Sequence, residues 1–122
     1  MKKVNTIDAP KAIGPYSQGY LIDGLVFVSG QTPVNPKTGK VALSIDEQAK
    51  ESCENVKAVL KAAGTDMNHV VKTTCFLANM TDFEHFNHIY GAYFSSKPAR
   101  SCVAVKALPE NVLCEIEAIA VL

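Results

Sequence analysis

The sequence predicts an α+β fold in which five or six strands form a mixed sheet and two helices pack on one of its faces. Two segments carry a helix-capping sequence followed by apolar residues at helical spacing. Several shorter segments are rich in β-branched and apolar residues, as strands are. The chain has 122 residues, without repeats or linkers, which suits a single domain spanning residues 1–122.

The first two strands are predicted from a turn dipeptide. Asp23-Gly24 separates Tyr16–Ile22 from Leu25–Ser29, and this dipeptide favours the positive-φ turn of a tight hairpin. Residues 31–40 hold two prolines, an asparagine and a glycine, and are predicted to form an exposed loop. The later strands are predicted at His69–Ala78, Arg100–Leu108 and Val112–Leu122, with the last two joined in a hairpin by a turn at residues 109–111.

Both helices are predicted from their caps. Residues 44–47 (S-I-D-E) form a capping box, apolar residues recur at helical spacing up to Ala63, and Gly64 is placed to end the helix in a left-handed conformation. A second capping box at residues 81–84 (T-D-F-E) opens a helix whose aromatic and apolar residues form one stripe. This helix must end before Pro98, because the residue preceding a proline is disfavoured in helical geometry.

The composition is that of a folded soluble protein. Apolar residues make up 48% and charged residues 20% of the chain, and 12 basic residues balance 12 acidic ones, so no strong field would attract nucleic acid or an anionic membrane. The N-terminus has no apolar signal region, and no apolar stretch approaches the roughly 20 residues of a membrane helix. The four cysteines include no C-x-x-C pair and are typical of reduced thiols, so we expect a cytoplasmic protein.

Two helices can cover only one face of the sheet, yet several strands are apolar on both faces. The C-terminal segment L-C-E-I-E-A-I-A-V-L is an example. Left uncovered, the second face would be a large apolar surface on a monomer. We therefore expect a homo-oligomer in which copies of the chain bury this face against one another.

An arginine lies at the start of a predicted strand, in the segment P-A-R-S-C-V-A (98–104). Strand alternation places Arg100 on one face with Cys102, while Ser101 and Val103 take the other. A planar guanidinium is suited to bind a carboxylate or a phosphate through two hydrogen bonds. The alternative is a structural ion pair with a neighbouring strand, and spacing alone does not decide between the two.

Two carboxylates share one face of the last strand, which is otherwise apolar. Glu115 and Glu117 are about 6.5–7 Å apart along it. Loss of hydration there would raise the pKa of a carboxyl group and suit it to proton transfer near neutral pH. The alternative is that one or both lie at a rim or pair with Arg100 or Lys106, and the pattern does not choose between the two glutamates.

Other motifs do not meet their requirements. Ser29 is not the serine of a nucleophile elbow, because that motif needs glycine two residues before the serine and Phe27 is there. His85 and His88 lie off the apolar stripe of the second helix, so no metal site is expected. Asn87 differs from them, because it falls at the edge of that stripe and is placed to face a cleft.

Six segments, found in order over nearly the whole chain, are shared with a known family. They are I-G-P-Y-S-Q-G (13–19), V-S-G-Q-T-P-V-N-P-K-T-G (28–39), N-V-K-A-V-L-K-A-A-G (55–64), V-V-K-T-T (70–74), P-A-R-S-C-V (98–103) and E-I-E-A-I-A-V (115–121). With these segments the sequence resembles the RidA family, also called YjgF/YER057c/UK114. The pairing of P-A-R-S-C-V with E-I-E-A-I-A is typical of its subgroup of reactive-intermediate (enamine/imine) deaminases.

The resemblance implies a chorismate-mutase-like fold assembled as a homotrimeric barrel, with helices outside and active sites in clefts between subunits. It implies hydrolysis of 2-aminoacrylate/2-iminopropanoate and 2-iminobutanoate, products of pyridoxal-phosphate enzymes, to 2-oxo acids and ammonia, without a cofactor or metal. Arg100 would hold the substrate carboxylate, and Glu115 would orient or deprotonate the attacking water. The residues that would line the pocket are Tyr16, Ser29, Gly30, Asn87 and Cys102, with Gly30 and Cys102 contributing mainly backbone contacts.

Two features depart from the family pattern, and two alternative functions stay open. The stretch between Phe94 and Pro98 is shorter than is usual in the subgroup, and Lys97 replaces the common aromatic residue, which bears on the pocket rim and on substrate preference. A ribonuclease or translation inhibitor is one alternative, but the balanced charge and the absence of an RNA-stacking aromatic platform and of a suitable histidine pair count against it. The other is a trimer that binds small carboxylates without turnover or acts as a chaperone.

Overall fold

One six-stranded sheet and two α-helices account for most of the chain in a computed structural model, which describes all 122 residues. In chain order the elements are β1 (Lys2–Val4), β2 (Gly19–Ile22), β3 (Leu25–Gln31), α1 (Ile45–Ala63), β4 (Val70–Leu77), α2 (Phe83–Tyr93), β5 (Ala99–Ala104) and β6 (Cys114–Val121). Short 3₁₀ turns occupy Met67–His69, Met80–Asp82 and Pro109–Asn111. The predicted α+β architecture is confirmed. Neither α-helix combines the length and the apolar character needed to cross a membrane.

Strand β6 lies in the middle of the sheet, whose order is β1-β2-β3-β6-β4-β5. It is antiparallel to β3 and β4, while β5 forms the edge and pairs in parallel with β4. The predicted hairpin between the last two strands is therefore wrong, and β5 ends at Ala104 rather than at Leu108. The reason is that the chain passes from β4 to β5 through α2, and a helical crossover brings two strands into parallel pairing.

The ends of α1 and the turn of the first hairpin are formed by the residues that the sequence predicted. Ser44 Oγ accepts a hydrogen bond from the Glu47 N–H at 3.2 Å, which caps the first turn of α1. Gly64 ends this helix in the left-handed region, with a φ of 93°. Between β2 and β3, Asp23 and Gly24 have φ values of 48° and 78°, the turn geometry that Asp-Gly favours.

The second predicted capping box is wrong. Asn79 Oδ1 accepts a hydrogen bond from the Thr81 N–H at 2.9 Å, and the chain then enters α2 through the 3₁₀ turn at Met80–Asp82. Asp82, which precedes α2, makes no side-chain capping hydrogen bond. The extra turn gives the capping role to Asn79 and places Thr81 inside the turn. The helix ends at Tyr93, before Pro98, as predicted.

The two faces of the sheet differ in what covers them. Both α-helices pack on one face, and the buried core lies between them and the sheet. No helix covers the other face, which is called the open face below. On it Phe27, Val103 and Val121 are 40%, 46% and 36% exposed. The predicted uncovered apolar face is therefore present in the single chain.

A buried hydrogen bond connects α2 to the sheet. Thr73 Oγ1 on β4 and the Tyr90 hydroxyl are 2.7 Å apart; Thr73 is fully buried and Tyr90 is 8% exposed. Burial raises the pKa of Tyr90 to about 12, so its phenol keeps its proton at physiological pH. The bond holds the Tyr90 ring over β4, next to the position that Arg100 occupies on β5.

Replacing Thr73 with valine should remove the partner of a buried phenol. We expect Thr73→Val to lower the free energy of unfolding by about 1–3 kcal/mol, because the Tyr90 hydroxyl is left without a hydrogen bond. Adding Tyr90→Phe should recover part of that loss, since no buried hydroxyl then remains unpaired. Urea denaturation at one fixed protein concentration measures the coupling. Strict additivity of the two substitutions would contradict it.

Candidate active site

Arg100 is the only arginine of the chain, and it projects from β5 onto the face covered by the helices. Its Nη1 donates a hydrogen bond to Asn87 Oδ1 on α2 at 2.8 Å. Its Cζ lies 4.7 Å from the ring centroid of Tyr90 and 5.6 Å from that of Phe83. The two rings and the amide therefore hold the guanidinium from the helix side.

No carboxylate pairs with this guanidinium. The two ion pairs of the chain join His69 to Asp66 and His85 to Asp46, both at the surface. The predicted alternatives, in which Arg100 forms a structural ion pair or pairs with one of the glutamates of β6, are therefore not found within the single chain. Because a guanidinium has five N–H donors and Asn87 engages one nitrogen, donors remain for an anion from outside.

Three residues of α2 form the support of Arg100 and are called the guanidinium platform below: Phe83, Asn87 and Tyr90. Their spacing of four and three residues places them on one face of the helix. The sequence prediction placed Asn87 at the edge of the aromatic stripe but treated the two rings as core only. The amide between two aromatic residues at helical spacing is the signal that would have identified all three.

Glu115 projects from β6 onto the open face, beside Gly30 of β3. A Cβ atom on Gly30 would overlap Glu115 Oε2 and lie 2.9 Å from its Cδ. Gly30 is therefore required here for space, since its backbone has no positive φ. The absent side chain lets the carboxylate lie against β3, where it is half-buried.

Burial, followed by the charge of Glu117, raises the pKa of Glu115 above its usual value. The two carboxylates are two residues apart on β6 and lie on the same face, as predicted, and Glu117 is the more exposed. Neither has a lysine or arginine in ion-pair contact. Glu115 therefore combines partial burial with the absence of a basic partner, and both features help it to keep its proton to a higher pH than an exposed carboxyl group does.

A cavity of about 680 Å³ lies in front of Glu115. Tyr16, Ser29 and Gly30 line it together with both glutamates. The Ser29 hydroxyl donates to the Ser17 carbonyl oxygen at 2.5 Å, and the Tyr16 hydroxyl accepts from the Ile13 N–H at 3.3 Å. Three of the predicted pocket residues therefore share one cavity with Glu115, and an adjoining cavity of about 410 Å³ continues past Glu117.

The predicted site residues fall on opposite faces of the sheet. Arg100 is opposite Thr73 of β4, whose side chain is buried beneath the helices, whereas Glu115 is opposite Phe76 on the open face. Cys102 lies on the Arg100 side by the same alternation. The single chain thus holds two half-sites: the guanidinium platform with Arg100, and the cavity with Glu115. It does not bring the two together.

Cys102 is half-buried next to Cys75, its partner across β4 and β5. Burial raises the pKa of the Cys102 thiol, and the nearby Arg100 charge opposes this only in part. A thiol that keeps its proton is a poor nucleophile, which leaves Cys102 as a packing residue with available backbone groups. No three histidine, cysteine or acidic side chains are grouped as a metal site requires.

Comparisons with known proteins extend over nearly the full length. The endoribonuclease L-PSP family model matches residues 6–122. A Salmonella typhimurium protein named 2-iminobutanoate/2-iminopropanoate deaminase is 50% identical, over 98% of this chain and 97% of its own. A Lactococcus lactis protein named as a regulator, AldR, is 52% identical over 98% and 97%. The crystal structure of E. coli TdcF with bound serine superposes with a TM-score of 0.97 at 44% identity, covering 100% of this chain and 99% of that one.

The chain belongs to the RidA (YjgF) family. The resemblance read from the six sequence segments is confirmed. Relatives of this RidA chain carry names as different as deaminase and regulator. Family membership therefore establishes the fold, while the site and the reaction have to be argued from the residues of the two half-sites.

We expect the Glu115 carboxylate to keep its position only when residue 30 is glycine, which leaves space for it. Gly30→Ala should leave the fold intact, because the clash involves the flexible end of a side chain. It should displace the carboxylate, and an error of about 1 Å in a reacting group lowers the rate roughly a hundredfold. Steady-state kinetics on 2-iminobutanoate, for which the Salmonella typhimurium relative is named, measures this, with circular dichroism as the folding control. Full activity would show that Glu115 tolerates displacement.

Glu115 should destabilise the folded chain at neutral pH. A carboxyl group whose pKa is raised by folding imposes no penalty below its unfolded pKa, and the penalty grows as the pH rises towards the folded pKa. We therefore expect Glu115→Gln to raise the melting temperature at pH 7–8 and to lose this advantage near pH 4. Thermal denaturation at both pH values tests the sign. A variant less stable than the parent at pH 7 would contradict it.

Proposed function

We propose that this chain hydrolyses 2-imino acids and their enamine tautomers, namely 2-aminoacrylate/2-iminopropanoate and 2-iminobutanoate, to 2-oxo acids and ammonia. The observation that carries the proposal is Arg100, a half-buried guanidinium with a prepared platform and no internal counter-charge. Such a group matches the planar carboxylate of a 2-imino acid. The Salmonella typhimurium deaminase, 50% identical over nearly the full length, supports the same reaction.

We further propose that each site is completed between two copies of the chain, in a homotrimer. Arg100 and Glu115 belong to opposite faces of one sheet, so the Arg100 half-site of one copy needs the Glu115 half-site of another. The exposed apolar residues of the open face support this assembly, because packing copies together would remove them from water.

In this mechanism Arg100 binds the substrate carboxylate through two hydrogen bonds and the platform keeps its plane fixed. The backbone at Gly30 and Cys102 borders the substrate, and Tyr16 and Ser29 close the pocket. Held in this way, the imine carbon faces a water molecule next to Glu115. Positioning is a large part of the catalysis, because the carbon of a C=N bond is already electrophilic.

Glu115 then carries two protons from oxygen to nitrogen. Its carboxylate accepts a proton as the water oxygen bonds to the imine carbon, and passes it to the nitrogen, which has received the C=N electron pair. In the resulting carbinolamine Glu115 accepts the hydroxyl proton as the C=O bond forms, and returns it to the departing nitrogen as the C–N bond breaks. A carboxyl group with a raised pKa suits both steps, since it must release what it takes up. The sum consumes one water and yields a 2-oxo acid and ammonia.

Two alternatives remain as rivals of this proposal. The description endoribonuclease belongs to the matching family. Against a nuclease, the chain has no net charge, and His69, His85 and His88 are exposed side chains that do not line the cavity. A trimer that only binds small carboxylates, or acts as a chaperone, would use Arg100 without needing a half-buried Glu115.

The decisive substitution is at Arg100. Arg100→Ala should lower kcat/KM for 2-iminobutanoate by about a hundredfold or more, because two charge-assisted hydrogen bonds to the carboxylate are lost. Arg100→Lys should recover little, since an ammonium cannot reproduce the planar fork. The imine is generated in place by threonine dehydratase, and ammonia and 2-oxo acid release are followed. Lys106→Ala, which removes an equal charge at an exposed site, is the matched control.

The outcomes separate the three functions. Undiminished turnover by Arg100→Ala with the oligomer intact would contradict imine hydrolysis at this site. Calorimetric binding of 2-oxo acids without turnover in the parent protein would favour the binding module. RNA cleavage that survives purification and disappears in Arg100→Ala and Glu115→Gln would favour the ribonuclease.

A further inference from the structure

Glu117 has no part in the mechanism above, although it lines the same cavity as Glu115. It lies two residues further along β6, and strand alternation gives both carboxylates the same direction. It also reaches the adjoining cavity, where Thr74 of β4 is directly opposite it. Glu117 is therefore an exposed carboxylate on an otherwise largely apolar strand, beside the residue proposed to transfer protons.

Several other charged or titratable groups face this region from neighbouring elements, and Tyr20 of β2 lines the smaller cavity. Lys11 and Tyr16, from the segment before β2, and Glu110, from the 3₁₀ turn before β6, line the larger cavity. Lys72 on β4 lines the smaller one, opposite Ile119 rather than opposite either glutamate. Neither lysine forms an ion pair with a carboxylate.

Glu117 is thus the nearest charge on the strand face that bears Glu115, and nothing in contact neutralises it. The charge of Glu117 opposes ionisation of the half-buried Glu115, because two like charges on one strand face repel each other. Burial and the charge of Glu117 act in the same direction on the pKa of Glu115.

We propose that Glu117 is a positioning residue for the reaction: its negative charge keeps the proton on Glu115 for long enough to be returned to the departing nitrogen. The inference rests on the proposed imine hydrolysis. It assigns to Glu117 a through-space effect on the protonation of Glu115, without contact with the substrate. Without that charge Glu115 ionises more readily, so it is a weaker base towards the water and holds the proton less often when the nitrogen departs.

The test compares Glu117→Gln with the parent protein in the assembled state. The acid limb of the pH profile of kcat/KM should move to lower pH in Glu117→Gln, because Glu115 ionises earlier without the neighbouring charge. Glu117→Asp, which keeps the charge, should retain the parent's limb. Glu47→Gln removes an exposed charge from the first turn of α1, on the helix-covered face of the sheet, and should also leave the limb in place.

A second measurement is independent of turnover. Carbon-13 NMR of protein labelled at glutamate Cδ follows the titration of Glu115, whose signal is assigned by its absence in Glu115→Gln. The pKa of Glu115 should fall in Glu117→Gln and should be nearly that of the parent in Glu117→Asp. Because a change in burial would also lower the pKa of Glu115, the charge-preserving variant Glu117→Asp is the comparison that assigns the shift to the charge.

The outcomes distinguish this inference from the proposed function. An unchanged Glu115 titration in Glu117→Gln would overturn the inference, even where the parent hydrolyses imines. A uniform loss of activity at every pH, with the titration unchanged, would also overturn it, because it would indicate a structural role. A lowered pKa of Glu115 in a protein without imine turnover would refute the proposed function and still establish the coupling of the two carboxylates.

Discussion

The alternation of side chains along β6 determines where the parts of the candidate site lie. Cys114, Ile116, Ala118 and Ala120 are buried beneath the helices in the centre of the sheet. Because successive side chains of a strand point to opposite faces, the intervening Glu115 and Glu117 must project onto the open face. A shift of one residue would place two carboxylates in the core, so burial of the apolar set maintains the register that directs both glutamates to the cavity.

The guanidinium of Arg100 is positioned by an independent set of contacts, and these come from α2. The helical crossover from β4 to β5 places Phe83, Asn87 and Tyr90 over the edge strand, and the bond from Thr73 to Tyr90 ties this platform to the core. A cation that is half-buried on aromatic rings without a counter-charge is an arrangement that an arriving carboxylate completes. Stability and the proposed binding of the substrate carboxylate are thus connected, because the residues that anchor α2 also orient Arg100.

The sequence was informative wherever a short-range physical rule operated, and misleading where pairing over a distance was involved. The cap at Ser44, the left-handed end at Gly64 and the Asp-Gly turn follow from neighbouring residues alone, and the structure has all three. The hairpin assigned to the last two strands was wrong because their pairing partners are chosen by the crossover through α2 and by burial of β6. The cap assigned to Thr81 was wrong because a 3₁₀ turn precedes α2.

The sequence by itself determined the α+β class, the six segments of the RidA family and the unusual residues, Arg100 and the two glutamates of β6. Residue type and periodicity are local properties, and they carry this information without a fold. Only the tertiary structure decided that Arg100 has no internal counter-charge, that Gly30 makes room for Glu115 and that Arg100 and Glu115 lie on opposite faces of one sheet. These facts depend on strand order and register, which come from the packing of distant segments and not from any single stretch of chain.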